Sequence, residues 1–248
     1  MRAGSTTVRR SALLATVLAL VAGAALAASL PRKAPTSSTA LSASERKAAE
    51  RRLTELGYWA GPVDGTWDEA SRHALVAFQK LEGRPATGRL TRTEWQALLA
   101  AERPAPRESR YAHLEVDLAR QVLLLVDDEG RVANVLPISS GSGKPFYEKR
   151  WGHGVAVTPC GRFTVYRKHT GWHESLLGMM HNPMYLVGGI AIHGSQDVPP
   201  RPASHGCIRI PMFASQRLTR MVPLDTPVWV YGCPEVEEVI KALADIPQ

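Results

Sequence analysis

Apolar residues change their rhythm twice along the chain. From Ser11 to Leu30 they run nearly unbroken and without a charge. From Ser44 to Ala101 they recur every three or four positions, the spacing of a buried helix face. From Tyr111 onward they alternate or gather in short runs between turn residues, which is strand texture. The middle stretch predicts three helices. Ser44 is the expected N-cap of the first, which runs through Leu53 and Leu56 to a stop at Gly57. After the turn-rich Gly61–Gly65, a second helix is predicted over Glu69 to Leu81, with Ala74, Leu75, Phe78 and Leu81 on one face. Thr91 is the expected cap of a third, with Glu94 as its capping-box partner and Trp95, Leu98 and Leu99 packed.

Residues 102–110 carry Pro104 and Pro106 among charges and read as a short stiff linker. Beyond them, His113 to Asp117 and Gln121 to Val126 are predicted strands. Asp127-Asp128-Glu129-Gly130 is a hairpin turn, and Arg131 to Ile138 the returning strand. Further strands are expected at Gly161–Tyr166, at Gly188–Ile192 leading into His193, and at Thr226–Tyr231. A terminal helix is expected over Glu235–Ala244. The fold class is therefore α+β and multidomain, a small three-helix module followed by a mainly β domain. Its segments are 1–30, 31–43, 44–101, 102–110, 111–232 and 233–248.

Charge alters this picture only at the start. The 248 residues carry a formal charge of +7, but five of the 30 basic residues precede residue 44, where no acid occurs. Without them the balance is 25 basic against 23 acidic residues, and no basic stripe with interleaved aromatics suggests nucleic acid. Arg9-Arg10 ahead of the apolar run, with Ala25-Leu26-Ala27 behind it, reads as a signal peptide or, uncleaved, a membrane anchor. The Ser-, Thr- and Pro-rich residues up to 43 read as a flexible spacer. Export makes a disulfide between Cys160 and Cys233 one reading and two separate buried thiols the other.

Chemistry concentrates in Ser204-His205-Gly206-Cys207-Ile208-Arg209, with His193-Gly194 upstream and thirteen residues separating His193 from Cys207. A cysteine beside a glycine, with two histidines within reach, supplies the parts of a thiol nucleophile, a base and an oxyanion site. The three cysteines contain no C-x-x-C pair, and nothing completes a zinc set around His169 and His173. No metal or other cofactor is expected. Ser139–Gly143 lacks the pattern of a phosphate loop.

His-Gly, a variable loop and then Ser-His-Gly-Cys-Ile-Arg resembles the signature of the L,D-transpeptidase catalytic domain. The resemblance covers about Tyr111 to Gly232 and implies a β-sandwich with the cysteine at its mouth. Thr158-Pro159-Cys160-Gly161-Arg162-Phe163 departs from the family pattern by its cysteine. Residues 44–101 resemble the peptidoglycan-binding three-helix module. The match lies in Leu56-Gly57-Tyr58, Gly61-Pro62-Val63-Asp64-Gly65, Phe78-Gln79 and Thr87-Gly88.

These resemblances imply a peptidoglycan cross-linking enzyme of the cell envelope, acting on stem peptides and glycan and acylated by carbapenem-type β-lactams. Cys207 would be the nucleophile, His193 the base and the Gly194 carbonyl the third member. His205 would orient the site, and the amides of His205, Gly206 and Cys207 would face the oxyanion. Ser204, Arg209, Gly188, Gly189 and Tyr185 are expected to contact substrate, although Arg209 could equally brace the loop. Water as acceptor would give an L,D-carboxypeptidase, and a dead enzyme fold a wall-binding protein. Tyr147 to Tyr185 is expected to form either a lid over the site or a packed loop.

Overall fold

The structure, a computed structural model, describes residues 40–150 and 152–235. The predicted leader, Trp151 and all but the first residue of the predicted terminal helix lie outside them. Among the described residues no helix is long and apolar enough to cross a membrane.

The three predicted helices form: α1 (Ala43–Glu55), α2 (Glu69–Leu81) and α3 (Arg92–Ala100). The first begins earlier than expected, because Ser42 rather than Ser44 is its cap. Glu45 stands three positions after Ser42, so the reciprocal bonds of a capping box close around Ser42. At α3 only half of the expected box forms. Thr91 accepts from the Glu94 amide, but the Glu94 carboxylate turns to the Arg84 guanidinium, which donates to both its oxygens at 3.0–3.2 Å. Glu50, fully buried in α1, accepts from the Gly65 amide and the Ser71 hydroxyl, tying the turn-rich loop and α2 to the first helix.

Among the described residues twelve strands follow the module. One sheet has the order β3 (Val132–Pro137), β2 (Val122–Val126), β1 (His113–Asp117), β12 (Pro227–Tyr231), β6 (Gly161–Thr164), with β1 and β12 parallel. The second runs β11 (Ile208–Pro211), β10 (Ile190–Ser195), β9 (Gly178–Val187), β7 (Arg167–Lys168), with β8 (Trp172–Ser175) also paired to β9. The strands β4 (Pro145–Glu148) and β5 (Gly152–Val155) form a separate hairpin. Between the two large sheets, Leu114, Val116, Leu123 and Leu136 pack with Met184, Leu186, Ile192, Ile208 and Ile210. The fold is thus a sandwich.

Two departures from expectation matter. The strand β2 is apolar throughout because both its faces are covered. Val122 and Leu124, with Val132 and Val135 of β3, pack in one core with Leu53, Leu75, Phe78 and Leu98 of the helices. Residues 102–110 are correspondingly strapped to the sheet rather than spanning a gap. Arg103 donates to the Val132 carbonyl, and the Arg107 and Glu108 amides both donate to Glu115. The helix α4 (Met212–Met221) was not foreseen. Its N-cap is Pro211, with no side-chain cap, so the usual start signal is missing, and its buried face mixes Ala214 and Leu218 with Ser215 and Thr219.

Candidate active site

The strand β10 lies inside the second sheet, antiparallel to β9 and parallel to β11. Parallel neighbours require a crossover, and here it leaves β10 after Ser195 and ends in the bend Ser204–Cys207. Since Ile208 pairs with Ile192 and Arg209 with His193, Cys207 emerges level with Ala191, two positions before His193 on the same strand. His193 is the fourth of six residues of β10 rather than its last, and the strand starts at Ile190, because Gly188-Gly189 form the β9–β10 turn. Cys207 and His193 line one cavity of about 600 Å³, with Tyr185, Gly189, His205 and Arg209.

The cysteine bend is held from several sides. Gly206 has φ of +137°, and a Cβ there would lie 2.9 Å from Ile190 Cδ1 and 3.0 Å from the Val157 carbonyl oxygen. Only glycine suits that position. Ser204 Oγ accepts from the Gly206 amide at 3.0 Å and donates to the Cys207 carbonyl at 2.5 Å. Thr158 Oγ1 donates to the Gly206 carbonyl at 2.6 Å and accepts from the Gly141 amide at 2.9 Å. The amides of Ala203 and Ser204 both donate to the Ser140 carbonyl. Thr158 itself stands two residues before Cys160, which is disulfide-bonded to Cys233 across a Cα separation of 5.9 Å. Cys207 is left as the free cysteine.

His193 is 6% exposed, and its Nδ1 lies 3.0 Å from the Gly194 carbonyl. A carbonyl can only accept, so Nδ1 carries the proton and Nε2 is the free base of the neutral ring. Burial and, less strongly, Arg209 hold its pKa down to about 4, against the Gly194 carbonyl, which favours the cation. Burial pushes the Cys207 thiol up, opposed by the Ala191 amide and Arg209. The thiol donates to the Gly189 carbonyl at 3.6 Å. Sulfur and imidazole therefore rest as a neutral pair. Gly194 has a packing reason as well: a Cβ there would sit 2.5 Å from Ser215 Oγ on α4.

Several expected contacts are placed differently. The Gly206 amide is committed to Ser204, which removes it from the oxyanion donors, and the Ser204 hydroxyl is committed to the bend rather than to a ligand. Gly188 lies outside the cavity wall, and its carbonyl accepts from the Tyr166 hydroxyl at 2.6 Å. Arg209 bonds Asp197 at 3.3 Å, the bracing arrangement. His205 packs edge-on against Phe146, with ring centroids 5.0 Å apart.

The stretch from Tyr147 to Tyr185 is neither a single lid nor a single loop. It supplies β5 to β8 and much of β9, and among its described residues Ser175–Met180 of the β8–β9 hairpin, Arg167 and Tyr185 reach the cavity. His169 and His173 pack with tilted rings, centroids 4.7 Å apart, around β7 and β8, and among the described residues no three metal-donor side chains converge. Arg167 and Phe146 were missed as wall residues, since only strand pairing brings these dispersed positions to the cysteine.

Residues 111–230 match the model of the L,D-transpeptidase catalytic domain, and residues 42–98 that of a peptidoglycan-binding domain. The crystal structure of an L,D-transpeptidase from Xylanimonas cellulosilytica is 39% identical, covering 75% of this chain and 93% of that one, with a TM-score of 0.72. An L,D-transpeptidase from Stackebrandtia nassauensis is 21% identical over 76% of this chain and 91% of that one, with a TM-score of 0.44. A search of the curated proteins finds no match. The chain belongs to the L,D-transpeptidase family, and it carries a peptidoglycan-binding domain ahead of the catalytic one.

Proposed function

We propose that the protein cross-links peptidoglycan through a thioester on Cys207. The observation that carries this reading is the shared cavity of a free cysteine and a neutral histidine, the latter with Nδ1 tied to Gly194 and Nε2 unprotonated. In the first step Cys207 Sγ attacks the carbonyl of the third stem residue while its proton passes to His193 Nε2. The C–N bond to the terminal D-alanine breaks, its nitrogen takes the proton from His193, and a thioester remains. The side-chain amine of a second stem then attacks the thioester, gives its proton to His193 and releases the thiolate, which recovers the proton. Amide-bond energy is conserved in the thioester, so no nucleotide is consumed.

A resting neutral pair suits this sequence, because charge develops only during attack. The amides of His205 and Cys207 are the remaining main-chain candidates for the oxyanion. Such a donor is typically worth about 3 kcal/mol in the transition state. The peptidoglycan-binding module supports retention on the wall, and both domains imply work in the cell envelope. Carbapenem-type β-lactams, whose strained amide mimics the acyl donor, should acylate the same sulfur.

Intact-mass analysis after incubation with a carbapenem tests the reading. One adduct is expected on the wild type and none on Cys207→Ala, which should also lose D-alanine release from a tetrapeptide donor while still sedimenting with purified sacculi. Turnover by Cys207→Ala would overturn the mechanism.

A further inference from the structure

Beside the cysteine lies a cation without a carboxylate partner. The β7–β9 and β9–β10 registers place Arg167, Tyr185 and Ala191 in one row across three strands, Arg167 opposite Tyr185 and Tyr185 opposite Ala191. Directly opposed residues share a face of a sheet. Tyr185 and Ala191 are buried and pack with Cys207. The Arg167 guanidinium carbon stands 3.9 Å from the centroid of the Tyr185 ring, and Arg167 lines the cavity that contains Cys207.

Arg209, the cation adjacent in sequence, is paired with Asp197, whereas among the described residues no carboxylate pairs with Arg167. Stacking on an aromatic ring fixes the plane of a guanidinium. Its five N–H donors lie in that plane, more than one tyrosine hydroxyl can take. Such a fork is shaped for a carboxylate, which accepts two parallel bonds. The mount is firm, because Tyr166, the residue before Arg167, donates its hydroxyl to Gly188, and the next carbonyl, that of Gly189, receives the Cys207 thiol.

We propose that Arg167, mounted on Tyr185, reads a carboxylate of the acyl-donor stem peptide and thereby makes the donor site selective for anionic stems. This assignment rests on the acyl-transfer reading above. Two carboxylates have the required chemistry, the C-terminal carboxylate of the departing residue and a second carboxylate on the side chain of the third residue. Neutral termini and a third residue bearing only an amine, such as lysine, lack one or the other.

The test compares wild type, Arg167→Gln and Arg167→Lys on three tetrapeptide donors: the free acid, its C-terminal amide, and a free-terminus peptide with lysine at the third position. D-alanine or D-alaninamide release is followed. For the free acid, Arg167→Gln should lower kcat/KM by about 10- to 100-fold, mainly through KM, the scale of a charge-assisted hydrogen-bonded contact. Arg167→Lys should fall between, keeping charge without the fork. The donor on which wild type and Arg167→Gln become equal identifies the carboxylate that is read.

Equal slowing of all three donors, or no slowing of any, would overturn the assignment. Calorimetric binding of the same peptides to Cys207→Ala and to Cys207→Ala/Arg167→Gln asks the question without chemistry. If the wild type releases nothing from any donor, the acyl-transfer reading fails, while the binding arm still decides on Arg167. Alkylation of Cys207 by iodoacetamide, a neutral probe, reports whether the variant has disturbed the thiol itself.

Discussion

The cysteine bend and the β8–β9 hairpin face each other across one cavity and are built on opposite principles. In the bend, Ser204, Thr158, Ser140 and Gly206 determine the main chain several times over, largely with buried groups. In the hairpin, Leu176, Leu177 and Met179 are exposed, and only Met180 is buried against Tyr185 and Ala191. A nucleophile must meet its carbonyl within a few tenths of an ångström, because misplacement by about 1 Å can cost 10²-fold. A wall that receives a bulky polymer tolerates exposed side chains, among them the unbranched Met179, which can repack. The difference teaches where substitution should be felt.

The largest effect is expected at the bend. Gly206→Ala must hold a non-glycine residue at φ of +137° and place a methyl 3.0 Å from the Val157 oxygen. Donor turnover should fall by about 10²-fold, with secondary structure retained by circular dichroism. Thr158→Val keeps the shape but strips the Gly206 carbonyl and Gly141 amide of their partner. Denaturant unfolding should show a loss of about 1–3 kcal/mol. A Gly206→Ala enzyme with full turnover would erase the contrast.

Next in size is a pH effect on the same rigid side. Burial lowers the His193 pKa to about 4, against about 6.5 in the unfolded chain. Between those values the unfolded state binds more protons, so this group's contribution to stability falls as pH drops from 6.5 toward 4. The neutral base also persists to that lower limit. The acid limb of kcat/KM for D-alanine release should therefore lie near pH 4, and a limb near 6.5 would mean an open, solvated imidazole. The smallest effect is expected across the cavity. Leu177→Ser at the hairpin tip should change stability by less than about 0.5 kcal/mol and move KM for the stem peptide severalfold, with kcat nearly unchanged. A collapse of kcat would make the hairpin part of the rigid half.

Legibility in the sequence follows the same division. The second helix runs over Glu69–Leu81 as its apolar period implied, and the Asp127–Gly130 turn joins β2 to β3. The family signature pointed to the cavity where Cys207 and His193 meet. Ser42 rather than Ser44 caps the first helix, and the Glu45 spacing in the sequence already marks it. The helix α4 escaped because Pro211 starts it without a side-chain cap, so no local start signal marks it. Ser204 looked like a ligand contact, and nothing local revealed that its hydroxyl closes the bend.

Caps, turns and periodicities act within about four residues, so the chain alone settles α1 to α3, several strand positions and the motif that points to Cys207 and His193. It also settles Gly206, whose backbone no other residue adopts easily. Which groups face one another was decided by pairing over long separations. Strand register puts Arg167 on Tyr185, 18 positions away, and Arg209 beside His193. The folded core joins α2 to β2 and β3 in one apolar layer, leaving a linker no gap to span. Burial of an imidazole and a thiol in one cavity, a property no single segment has, makes them neutral at rest.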